Sequence, residues 1–158
     1  MSRVKVLLSL LLLLGLGANA KGAESPQTAL ADLPHVSFPA AHRVASGALH
    51  ASDMAALKQA GVKDVINLRT PAETPAFDEA EAMARAGIEY HSLPIHGAQG
   101  LTQDNVRRFD QLLHASGDQL TLVHCASSNR VGAMVALRAG LLQGKTVEQA
   151  IAEGQRWG

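Results

Sequence analysis

The sequence predicts an α/β protein of three layers, with a central four- to five-stranded, mainly parallel sheet between two layers of helices. Three observations carry this. Short β-rich runs alternate with helical patterns from Arg43 to the end of the chain. The stretch Leu120–Gly132, L-T-L-V-H-C-A-S-S-N-R-V-G, is a buried strand running through a short loop into a helix. Alanine and leucine are abundant while aromatics make up only 3%, which suits an α/β protein better than a β-sandwich. At 158 residues the chain can build one domain with a real core.

Residues 1–20 are expected to be a signal peptide. Arg3 and Lys5 form a positive start, Val6–Leu16 is an apolar run too short to span a bilayer comfortably, and Ala18-Asn19-Ala20 fits a small-x-small cleavage site. Cleavage after Ala20 places the protein in the periplasm or outside the cell, with no stable membrane insertion afterwards. It also removes two bases and no acids from a neutral chain, leaving a net charge of −2. That balance gives no support for nucleic-acid binding. Residues 21–41, interrupted by Pro26, Pro34 and Pro39, suggest a linker that becomes an ordered arm near a domain spanning 42–158.

The elements of that domain follow in order. Arg43–Ala45 is a short strand. Ser52 is the expected cap of a helix carrying Met54 and Leu57, with Gly61 as its stop. Val62–Leu68 is β-rich, with Val65, Ile66 and Leu68 apolar, and is expected to be a central strand. Thr74-Pro75 reads as an N-cap followed by proline at the first helical position. Phe77, Ala80, Met83 and Ala84 give that helix its spacing, and Gly87 closes it. Ile88–Leu93 is the next strand, and Pro94–Gly100 a loop. Thr102 caps a helix that turns Val106, Phe109 and Leu113 inward, with Leu101 and Val106 set to staple its start. After the Leu120–Gly132 unit, Thr146 and Gln149 form a capping box for a last helix. Strands alternating with helices require right-handed crossovers, and ligands of such sheets bind at the carboxyl ends of the strands. That edge collects Arg69, the 94–100 loop and the loop after Leu120–His124.

Cys125, the only cysteine, opens that last loop. A strand feeding a helix N-terminus turns its loop amides toward an anion, and the helix dipole adds to the attraction. Such surroundings favour the thiolate, and Arg130 at the far end can grip an oxyanion with two N–H groups. Nucleophile, anion cradle and cationic clamp therefore occupy six consecutive residues: Cys125, Ala126, Ser127, Ser128, Asn129 and Arg130. A lone cysteine in an exported protein has no disulfide partner and is exposed to oxidation, which favours a chemical use for it.

The run V-H-C-A-S-S-N-R-V-G-A resembles the signature loop of the cysteine-dependent phosphatases of the protein tyrosine and dual-specificity type. It is most similar to the small bacterial branch of beta-lactamase-hydrolase-like phosphatase domains. S-G-A-L at Ser46–Leu49, V-I-N-L-R at Val65–Arg69 and A-G-I-E-Y at Ala86–Tyr90 share the likeness, which covers Arg43 to the C-terminus. The resemblance implies the same three-layer architecture. It also implies hydrolysis of phosphate monoesters, on a phosphorylated protein or a small phosphate ester, through a phosphocysteine and without a cofactor. Relatives place an aspartate after the third strand in a context like L-P-I-D, where this chain has Leu93-Pro94-Ile95-His96. His96 is therefore the candidate general acid, imidazole titrating near neutrality, with Asp104 as the other choice. His124, preceding the cysteine, is expected to bond the loop backbone. Ser127 and Ser128 offer hydroxyls and Asn129 an amide to pin the loop. Arg69 either orients the loop or pairs with Glu73.

Three departures from the wider pattern stand out. Four residues separate Cys125 from Arg130 instead of five, which is also the spacing of the rhodanese sulfurtransferases and keeps a Cys125 persulfide in view. Val131 replaces a hydroxyl residue, and Ser128 replaces a glycine, a strained choice if that position needs positive φ. A catalytically weak domain that binds an anion or a partner is the third alternative. His91, His96 and His124 could converge at one sheet edge, but no zinc-type spacing or second cysteine supports them, so no metal is expected.

Overall fold

The computed structural model describes residues 24–73 and 77–158. The expected signal peptide and the Thr74-Pro75 cap lie outside the described residues. Five strands form one sheet: β1 Ser37–Ala40, β2 Arg43–Ser46, β3 Asp64–Asn67, β4 Glu89–Ser92 and β5 Thr121–His124. Their order is β1-β2-β5-β3-β4, with β1 antiparallel to β2 and every other pairing parallel. Six α-helices accompany the sheet among the described residues: α1 Pro26–Ala29, α2 Met54–Ala60, α3 Glu79–Ala86, α4 Gln103–Ala115, α5 Asn129–Leu142 and α6 Val147–Trp157. Among the described residues no helix is long and apolar enough to cross a membrane.

The period-two alternation of the strands splits the core into two layers. Val44, Leu122 and Val65 stand in register and face Leu57, Met83 and Leu30 on the α1–α3 side. Ala45, Val123 and Ile66, one residue on, face Phe109, Met134 and Trp157 on the α4–α6 side. β5, in the middle, is buried at all four positions. The predicted inward face of α4 is buried as expected, with Val106, Phe109 and Leu113 all 6% exposed or less. Gly61 and Gly87 end their helices at φ 78° and 70°, and the Thr146–Gln149 capping box forms.

Two local expectations are corrected. Ser52 does not cap α2. A short helical turn, Ala51–Asp53, precedes the helix, and the Asp53 carboxylate closes back on the His50 N–H at 2.8 Å. α3 begins at Glu79, where Asp78 accepts from the Glu81 N–H at 2.9 Å. The arm is also more deeply built in than its composition suggests. Leu30 and Leu33 are core residues, and Ser37–Ala40 adds an edge strand. Pro39 is tolerated there because an edge strand has a side that needs no ladder donor.

α5 and α6 cross at a glycine contact. A Cβ on Gly154 would lie 2.5 Å from the Gly132 carbonyl oxygen and 2.9 Å from the Ala136 Cβ. Alanine gains roughly 1 kcal/mol of helix propensity over glycine, but forcing the helices apart costs about 1–3 kcal/mol. We expect Gly154→Ala to be net destabilising, read as a lower urea midpoint at unchanged m-value. A midpoint at or above that of the parent protein would mean the crossing yields freely.

Candidate active site

The loop after β5 is held from below by the S-G-A-L segment. The Cys125 N–H reaches the Ser46 carbonyl at 3.4 Å, the Ala48 N–H donates to the Ala126 carbonyl at 3.1 Å, and Gly47 is bridged to Ser127. Gly47 is required by this approach, since a Cβ there would lie 3.0 Å from the Ala126 carbonyl oxygen. Ser128 adopts φ 68°, the left-handed conformation anticipated for that position. Its hydroxyl does not face an anion. It donates to the Trp157 carbonyl at 2.8 Å and fastens the loop to the end of α6. Ser127 is half-buried and Asn129 is exposed at the first turn of α5. Among the described residues the Asn129 amide makes no bond to the loop, so the expected pin is absent. The first intrahelical bond of α5 runs from the Gly132 N–H to the Ser128 carbonyl at 3.1 Å. The preceding amides of Asn129, Arg130 and Val131 are thus left without helical carbonyls, as an anion cradle requires.

Cys125 sits at the mouth of this turn, 1% exposed and with a free thiol. Arg130, 19% exposed, is gripped on its Nη edge. Nη1 donates to Glu73 Oε2 at 2.9 Å, to the Ile95 carbonyl at 3.0 Å and to the Leu68 carbonyl at 3.3 Å, while Nη2 donates to Glu73 Oε1. Among the described residues Nε takes no acceptor, so the Nε edge of the fork is left for an oxyanion. The Glu73 hydrogen bonds raise the Arg130 pKa further, and the Cys125 side chain adds a smaller push in the same direction. The same contact, followed by donation from Thr70, holds the Glu73 carboxyl at about 2, down from its ordinary 4.5. Arg69 donates to the Glu73 main-chain carbonyl, so Glu73 is shared: its backbone goes to Arg69 and its carboxylate to Arg130.

The sign of the Glu73 shift fixes a pH window. A carboxylate with a lowered folded pKa contributes stability that is complete above its unfolded value near 4.5 and lost as pH falls through about 2. Glu73 is 31% exposed, so solvent screening holds the contribution to about 1 kcal/mol. We expect Glu73→Gln to be less stable than the parent at pH 6 and to converge with it between pH 4.5 and 2, in urea midpoints measured across that range. Parallel curves would show that the pair carries no stability.

His124 departs from expectation. It does not bond the loop backbone, because strand alternation turns it to the α3 side of the sheet. There its Nε2 meets Glu79 Oε1 at 2.5 Å, with both side chains fully buried. Asn67, in register with His124 on β3, donates to Glu79 Oε2 at 3.3 Å and to the Tyr90 hydroxyl at 2.9 Å. This buried network beneath the cysteine rests on Glu79, which sequence reasoning missed. The available signal was that Glu79 and Met83 stand four residues apart, and hence on one helical face. His96 is exposed and follows Ile95, whose carbonyl binds Arg130, so its backbone lies beside the clamp. Asp104, the other acid considered, is 86% exposed and pairs with Arg107. The three histidines considered for a metal do not converge. His91 is in register with Ile66 and His124 with Asn67, so the two project from opposite faces of the sheet, and His96 stands in the loop beyond β4.

The fold recurs in known proteins. A family model described as "DSP-PTPase phosphatase fused to NAD+ Kinase" matches residues 40–157. No match was found among the curated proteins. Among solved structures, a candidate phosphatase (DUF442) from Shewanella putrefaciens CN-32 is similar at a TM-score of 0.66 and 24% identity, over 80% of this chain and 84% of that one. A candidate phosphatase from Neisseria meningitidis z2491 gives 0.66 and 22%, over 78% and 89%. The Cys-to-Ser form of P. aeruginosa TpbA, solved in complex with pTyr, gives 0.56 and 24%, over 77% and 72%. The structural neighbours share the fold and the family model spans strands β2–β5 and helices α2–α6: the chain belongs to the family of DSP-PTPase phosphatases fused to NAD+ kinase, and is a cysteine-dependent phosphatase domain, a phosphoric monoester hydrolase.

Proposed function

We propose that the protein hydrolyses phosphate monoesters through a phosphocysteine on Cys125, with aryl phosphates as its best small substrates. The observation that carries this reading is the clamp. Arg130 is braced by Glu73, Leu68 and Ile95, with its Nε edge unspent, at the far end of a loop whose helix amides are open and whose first residue is the thiol. The Cys125 sulfur attacks phosphorus, an S–P bond forms, and the ester P–O bond breaks. The leaving oxygen takes a proton from His96. Water then attacks phosphorus and gives a proton back to His96, the S–P bond breaks, and inorganic phosphate departs with the thiolate restored. Arg130 and the amides of Asn129–Val131 stabilise the equatorial oxygens as charge develops. Val131 supplies no hydroxyl to guide the water, so the second step should be the slow one.

The pTyr held by the TpbA neighbour supports an aryl phosphate as the substrate class. The N-terminal pattern of residues 1–20 supports action on phosphorylated proteins or small esters in the periplasm or outside the cell. The four-residue spacing favours one rival, sulfur transfer through a Cys125 persulfide. Both are tested together, by phosphate release from p-nitrophenyl phosphate and thiocyanate release from thiosulfate and cyanide, before and after iodoacetate treatment. Phosphate release that alkylation abolishes supports the proposal. Thiocyanate formation without phosphate release would replace it with sulfur transfer, and neither activity would leave an anion-binding domain.

A further inference from the structure

The amino end of the sheet, opposite the cysteine, holds a second group of reactive side chains. Asp64 opens β3, Glu89 opens β4, and the two are in direct register. His91, two residues along β4 from Glu89, projects on the same face. One potential ligand atom from each residue lies within 4.8 Å of the other two. His91 Nε2 is 3.0 Å from Asp64 Oδ1 and 3.5 Å from Glu89 Oε1.

The distinguishing feature is Asp64. It is 3% exposed, and its Oδ1 has no hydrogen-bond partner. Its contact there is with His91, whose Nε2 lies 3.0 Å away and carries charge only when the ring is protonated. Arg43 acts on Asp64 through its charge but makes no hydrogen bond to it. Arg43 spends its guanidinium on the carbonyls of His42, Gln119, Gly117 and Leu113. A buried carboxylate left in this state is costly unless a cation meets it.

The spacing also fits three ligands around one metal ion. Two ligand atoms each about 2.1 Å from one ion stand roughly 3.0 Å apart at a right angle and roughly 3.4 Å apart at a tetrahedral angle. The two His91 separations fall at these values. Two carboxylates and a neutral imidazole carry a charge that a divalent ion cancels, and the mix of oxygen and nitrogen suits a first-row transition cation. Asp64 supplies the buried wall. Glu89, 66% exposed, and His91, 25% exposed, leave an opening for the ion and for water to complete its shell.

We propose that Asp64, Glu89 and His91 form a binding site for one divalent transition cation, which ties the edge strand β4 to β3. The histidine set weighed from the sequence was a different one, and this site does not depend on the phosphatase reading. It is not catalytic, since the full length of β3, roughly 10 Å, separates Asp64 from the Cys125 edge. The test titrates Zn2+ into the Cys125→Ser protein, so that the thiol cannot compete, using calorimetry and thermal unfolding. The expected result is one Zn2+ per chain and a Tm that rises with Zn2+ concentration. His91→Ala and Asp64→Asn should each weaken binding by about tenfold or more. Glu89→Gln, at the surface, should fold as the parent and still weaken binding, which keeps the test independent of folding losses. No stoichiometric binding, or binding that His91→Ala and Glu89→Gln leave unchanged, would overturn the proposal and make His91 a cationic bridge between two carboxylates.

Discussion

Cys125→Ser is expected to abolish turnover of aryl phosphates while preserving the fold. The side chain is 1% exposed and belongs to the core layer with Val123, Val131 and Met134, so the smaller hydroxyl leaves only a slight void. Its chemistry changes far more. A hydroxyl has no appreciable anionic fraction near neutrality, and no base within the loop is placed to activate it. The expected loss in kcat is on the order of 10⁴-fold or more, the scale seen when a covalent nucleophile is removed from an otherwise intact site. Hydrolysis of p-nitrophenyl phosphate measures it, with urea unfolding as the check on the fold. A residual rate within tenfold of the parent would mean that the reaction does not pass through Cys125.

Arg130→Lys should cost about 2–4 kcal/mol of transition-state stabilisation, roughly 30- to 1000-fold in kcat/KM. Lysine keeps the charge but cannot hold Glu73 with two nitrogens, reach the Leu68 and Ile95 carbonyls, and present a further edge to a dianion at once. Its ammonium is expected to settle on Glu73 and leave the equatorial oxygens uncovered. Binding and turnover should fall together, because the planar fork serves both. Should Arg130→Lys retain near-parental kcat/KM on every Cys125-dependent substrate, the clamp would have to be another cation, and Arg69 is the first to try. Arg69 already meets the same Glu73 through its backbone carbonyl.

Much of the site was legible because its parts are close in sequence. Cys125, the open amides and Arg130 fall within one strand–loop–helix turn, and local geometry alone places them around a common point. The left-handed conformation of Ser128 was raised as a condition by the glycine that relatives carry at that position, and the structure meets it. What keeps a serine there was not legible. Its hydroxyl bonds the Trp157 carbonyl, 29 residues away, and that partner exists only once α6 has crossed α5. His124 was assigned to the loop because it precedes the cysteine, yet its partner Glu79 lies 45 residues earlier, on α3. The arm was obscured by Pro26, Pro34 and Pro39, a composition that suits linkers as well as edge strands.

The sequence by itself determined the α/β alternation, the inward face of α4, the caps at Thr102 and Thr146, and the order nucleophile–cradle–clamp. All of these follow from periodicity or from contacts within a few residues. Only the tertiary structure decided which acid steadies which base. The sequence offered Glu73 as a partner of Arg69, whereas its carboxylate goes to Arg130, and nothing in the sequence singled out Glu79 as the partner of His124. Asp64 lay inside the expected Val62–Leu68 strand, and only sheet register set it beside Glu89 and His91. Pairings of this kind depend on which strands become neighbours. The strand order β1-β2-β5-β3-β4 is fixed by crossovers and burial across the whole sheet, and no local spacing encodes it.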